Sequence, residues 1–84
     1  MRQIDSKYKT SGDVTKLDGT PIPADEPLML FRGKDALLPQ LIEDYKRLSQ
    51  EAGSPPEHLA TLDEKIQSLK SWQAANADKV KTPD

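Results

Sequence analysis

The sequence predicts an α+β protein: a short N-terminal β-hairpin or ribbon, then an antiparallel αα-hairpin. Three observations predict it. Asp18-Gly19 lies between two strand-like runs. Apolar residues recur at helical spacing over 36–52 and again over 55–76. Only the stretch around Gly53 separates those two patterns, so the helices return on each other.

In the first zone, residues 1–32, turn formers set the structure. Asp-Gly flanked by Val14-Thr15-Lys16-Leu17 and Thr20-Pro21-Ile22 is a hairpin signal. Pro21 and Pro23 weaken its second arm, because proline has no N–H to give to a ladder. Ser11-Gly12-Asp13 is a second turn, which leaves Lys7-Tyr8-Lys9-Thr10 as a short strand before it. Leu28-Met29-Leu30-Phe31-Arg32, bounded by Pro27 and Gly33, has the length of a buried strand.

The first helix is expected over 35–52, with Asp35 as N-cap, Pro39 in the first turn and Gly53 just past its end. Leu37, Leu38, Leu41, Ile42, Tyr45 and Leu48 give it one broad apolar face. The second is expected over 55–76. There Ser54-Pro55-Pro56-Glu57 matches a capping box with proline at the first helical position. Leu59, Leu62, Ile66, Leu69 and Trp72 follow at intervals of three and four, and Asn76 is its stop. Residues 77–84 read as a mobile polar tail.

With 84 residues the chain has room for a single small domain spanning 1–84. Leu, Ile, Val and Phe together are about a fifth of it, close to the range of disordered chains. Cysteine is absent, so no disulfide assists the core, and one histidine without cysteine cannot build a structural zinc site. The apolar faces exceed what so short a chain can cover. That shortfall predicts a homo-oligomer, with Leu41, Tyr45, Leu62, Leu69 and Trp72 at the interface.

Twelve basic residues against fourteen acidic ones, a net charge of −2, argue against a nucleic-acid polymer as partner. They leave open a small anion, for which two or three placed cations suffice. No apolar run approaches the ~18 residues of a membrane span. Met1-Arg2-Gln3-Ile4-Asp5 has no apolar leader character, which predicts a cytoplasmic protein.

Catalytic chemistry finds little support. His58 is the only histidine, no thiol exists, and no serine sits in a nucleophile elbow. The adjacent carboxylates Asp25-Glu26, Glu43-Asp44 and Asp63-Glu64 point in different directions on a helix and are not acid/base dyads. We expect no enzyme, no catalytic residue, no metal and no cofactor. Arg32-Gly33-Lys34-Asp35 is the most informative polar segment. It sets two cations on a glycine turn before a helix, an arrangement that captures phosphate or carboxylate unless Asp35 itself fills the cap. Lys7-Tyr8-Lys9 sets an aromatic ring between cations, so Tyr8 and Lys9 are expected as a wall of the same ligand site beside Arg32 and Lys34.

The block Asp25-Glu26-Pro27-Leu28-Met29-Leu30-Phe31-Arg32 through Asp35 recurs in a known setting, together with Trp72-Gln73-Ala74-Ala75-Asn76 and Val80-Lys81-Thr82-Pro83-Asp84. Over residues 25–84 the chain resembles a group of short uncharacterised proteins of bacteria and their phages. The resemblance implies a phage or prophage accessory protein. Such a protein is small, non-catalytic and oligomeric, and acts by sequestering a small nucleotide-like signal or a host defence factor in the host cytoplasm. The alternative expectation is a structural module that docks a partner through the apolar face of the helical hairpin.

Overall fold

A computed structural model describes residues 2–5 and 7–82. The chain divides into two compact units, residues 1–30 and 31–84.

The first unit is built from turns. Strand β1, Arg2–Gln3, pairs antiparallel with β2, Lys9–Thr10, in the register Arg2 to Thr10 and Gln3 to Lys9. The strand expected in 7–10 is therefore present and short. The link between β1 and β2 is held by Asp5, whose carboxylate accepts the N–H of Lys7 at 2.8 Å and of Tyr8 at 3.0 Å. The Asp18-Gly19 turn also forms. Gly19 takes φ +91°, Lys16 N donates to Thr20 O at 2.8 Å, and Ile22 N donates to Val14 O at 3.0 Å. Its pairing stops at one bridge, Thr15 with Pro21, as the prolines require.

Residues 28–32 do not form the expected strand. Among the described residues the paired segments are two residues long or single bridges, so no ladder exists to take this segment's N–H and C=O groups. Met29, Leu30 and Phe31 are exposed rather than buried.

The second unit is the helical hairpin. Helix α1 is Leu38–Glu51 and α2 is Pro56–Ala75. Both begin later than the sequence pattern suggested, and proline explains both corrections. With Asp35 as N-cap, the residue four positions on would donate the first helical hydrogen bond to the Asp35 carbonyl. That residue is Pro39, which has no N–H. The helix starts instead with Leu37 as N-cap, and Pro39 falls where no donor is needed. Ser54 likewise does not cap α2. Pro55 precedes another proline and is held extended at ψ 150°, so it becomes the N-cap and Pro56 the first helical residue.

The intervening turn is as expected. Gly53 takes φ +83°, with Gly53 N donating to Gln50 O and Ser54 N to Ser49 O, the paired bonds of a Schellman stop. Asn76 ends α2, its side-chain amide donating to Trp72 O at 2.9 Å. The core of this unit is small: among the described residues Leu38, Ile66 and Leu69 are the buried apolar ones, and Ser49 is buried too.

The tail, expected to be mobile, is held at Lys81 instead. Lys81 pairs in parallel with Asp35: Lys81 N donates to Lys34 O at 3.1 Å, and Ala36 N donates to Lys81 O at 2.9 Å. Val80 is half-buried within its own chain, and Pro83 and Asp84 lie outside the described residues.

Candidate functional site

The segment 32–35 crosses the end of α2 and is fixed there by one side chain. Gln73 donates from its amide nitrogen to the carbonyls of Gly33 at 3.0 Å and Asp35 at 2.9 Å. Gly33 lies close to α2, where a Cβ would sit 3.7 Å from Leu69 Cδ2 and 3.8 Å from the Trp72 ring. The Asp35 carboxylate accepts Leu37 N–H at 2.8 Å, and its carbonyl accepts Leu38 N–H at 3.1 Å. The N–H groups of Asp35, Ala36, Leu37 and Leu38 are thus already engaged and Pro39 has none, so these backbone donors are not offered to an anion. What remains is a site made of side chains.

That site is a cleft of about 820 Å³. Arg32 and Lys34 enter from the loop, Lys65, Ser68 and Trp72 from α2, and Asp78, Lys79 and Lys81 from the returning tail. Among the described residues, five cations and one carboxylate therefore line the cleft around Trp72, which is 41% exposed. The ion pairs Lys46–Asp63, Arg47–Glu51 and Lys70–Glu43 use none of Arg32, Lys34, Lys65 and Lys79. Like charges gathered in a concave wall sum their potentials and raise the local concentration of anions.

Of the residues expected to bind a ligand, Arg32 and Lys34 share this cleft. Tyr8 and Lys9 belong to the first unit, where Tyr8 is half-buried and Lys9 is exposed in β2. Of the expected interface residues, Leu69 is buried within the hairpin and Leu62 is half-buried. Leu41, Tyr45 and Trp72 stay exposed. His58 is exposed and meets Tyr45 edge to face, with ring centroids 6.3 Å apart, outside the cleft.

Sequence reasoning missed Lys65, Lys79 and Lys81. Lys65 carried a signal, since Lys65, Ser68, Leu69 and Trp72 stand at i, i+3, i+4 and i+7 on one face of α2. The tail lysines carried none, because only the return of the tail brings them to the loop. Among the described residues no three His, Asp or Glu side chains are grouped to hold a metal ion, and no helix is long and apolar enough to cross a membrane. Comparison with protein-family models, with curated proteins and with solved structures finds no match for this chain.

Proposed function

We propose that the protein captures a small, multiply charged anion of nucleotide type in this cleft and holds it without chemical change. The observation that carries the reading is the gathering of five cations around the exposed Trp72 in a chain whose net charge is −2. Lysine and arginine suit phosphate oxygens, and an exposed indole offers a stacking surface for a base, worth roughly 1–3 kcal/mol. Among the described residues the lining holds a hydroxyl, Ser68, with no imidazole, and a single carboxylate, Asp78, which supports capture rather than turnover. The resemblance to short proteins of bacteria and their phages would give this capture a physiological sense, the removal of a signalling nucleotide from the host cytoplasm.

Trp72 is the only tryptophan, so its emission reports the cleft directly. Titration with ADP is expected to change that emission saturably, pyrophosphate to compete, and adenosine to do neither. Arg32→Ala is expected to weaken ADP about tenfold, about 1.4 kcal/mol, with the melting temperature unchanged. Lys34→Glu with Lys79→Glu removes binding. Absence of ADP and pyrophosphate binding to the wild-type chain by calorimetry would overturn the reading.

A further inference from the structure

The seam between α1 and α2 is closed along one edge and open along the other. At 3.6 residues per turn, Leu38, Ile42 and Ser49 share one flank of α1, where Leu38 and Ser49 are buried and Ile42 is half-buried. Beyond that flank on one side, Glu43 pairs with Lys70 at 2.9 Å and Lys46 with Asp63 at 2.7 Å, so charged groups bridge the two helices there. On the other side stand Leu37, Leu41, Tyr45 and Leu48, which are 58%, 44%, 53% and 53% exposed. Leu41 and Tyr45 join Phe31, Ile42 and Leu62 around an apolar groove of about 620 Å³. The apolar arc of α1 is wider than α2 covers.

We propose that a second copy of this chain covers the open edge, burying the stripe 37/41/45/48 of each copy in a two-fold dimer. The area available is what a stable dimer needs. With about 200 Å² for each whole residue, the exposed parts of the four stripe residues and Phe31 come to roughly 500 Å². A stable interface takes about 800 Å² from each partner, of which roughly 60% is apolar, again near 500 Å². The stripe also has the right form. From Leu37 to Leu48 it rises about 16 Å in steps of four, four and three, the spacing along which one helix packs on another. A patch that is its own partner closes after two copies, the commonest soluble assembly.

Light scattering of the full chain from low micromolar to submillimolar concentration tests this. The expected mass is that of two chains, falling on dilution towards the 9.4 kDa of one. Leu41→Glu with Leu48→Glu is expected to give one chain at all concentrations, with far-ultraviolet helicity retained. Lys34→Glu, in the basic cleft, leaves the dimer intact. Tyr45→Ser removes apolar area without inserting charge; it is expected to weaken dimerisation at least about tenfold, and decides the matter if the double variant fails to fold. A wild-type chain that stays single at the highest concentration would overturn the proposal. So would an assembly indifferent to the stripe substitutions, or a single chain whose stripe is occupied by a different protein.

Discussion

Gln73 links the helical hairpin to the loop that carries Arg32 and Lys34, and it does so with one amide group shared between the carbonyls of Gly33 and Asp35. Methionine has similar length and reach but no donor. Each neutral hydrogen bond contributes about 1 kcal/mol, so Gln73→Met is expected to lower the unfolding free energy by about 1–2 kcal/mol in urea titration. It is also expected to weaken ADP binding, because the loop cations lose their fixed positions. Asp18 makes a different kind of local contact. Its exposed carboxylate accepts Thr20 N–H at 2.9 Å, and that bond holds its pKa below the ordinary 3.8. A lowered folded value means the turn is favoured above the unfolded pKa, and the contribution disappears as pH falls through the folded value. In an acid titration followed by NMR, the Thr20 amide shift should therefore move with a midpoint below that of an unstructured aspartate. A midpoint at the ordinary value would show the bond to be unformed in solution.

The elements owe their limits to short-range chemistry and their stability to very few buried groups. Leu69 is 8% exposed and is one of the three buried apolar side chains among the described residues. Leu69→Ala should cost about 2–4 kcal/mol, against the roughly 3–5 kcal/mol that a core of this size supplies. The variant is thus left with about 1 kcal/mol and is expected to show a measurable unfolded fraction by circular dichroism at room temperature and a much lower melting temperature. Lys70→Ala, one position along, removes an exposed ion pair and should change stability by no more than about 0.5 kcal/mol. The same contrast explains what was legible in the sequence. Leu38, Ile66 and Leu69 announce their burial by helical spacing, and Gly53 announces the turn because its φ of +83° suits a residue without a Cβ. The helix starts were legible in principle, since Pro39 and the Pro55-Pro56 pair dictate them once each N–H and each residue before a proline is counted. The strand expected at 28–32 fails for the opposite reason: an apolar run states a preference for burial but names no partner strand. The pairing of Lys81 with Asp35 left no trace at all, being made of backbone groups far apart in the chain, and two of the five cations of the basic cleft depend on it.

Across the molecule, charge is sorted rather than mixed. The chain carries −2 overall, yet five cations and one carboxylate meet in one cleft of the second unit, so the remaining surface is acidic in excess. Arg32, Lys34, Lys65 and Lys79 make no ion pair among the described residues. Side chains placed only for stability would be interspersed with acids, because like charges close together destabilise the folded state by a few tenths of a kcal/mol per neighbouring pair. Cations that line one cleft with so few acids beside them are what the proposed anion site requires. The consequence is a pair of effects with opposite signs. Lys34→Gln with Lys79→Gln is expected to raise the unfolding free energy at low salt by about 0.5–1 kcal/mol, with the gain shrinking as salt shortens the screening length to ~8 Å and below. The same double variant should lose the Trp72 response to ADP. Were these lysines structural, stability and binding would fall together. Urea titrations at two ionic strengths, run beside the fluorescence titration, separate the two cases, and a loss of stability in the double variant would remove the charge argument on which the ligand site rests.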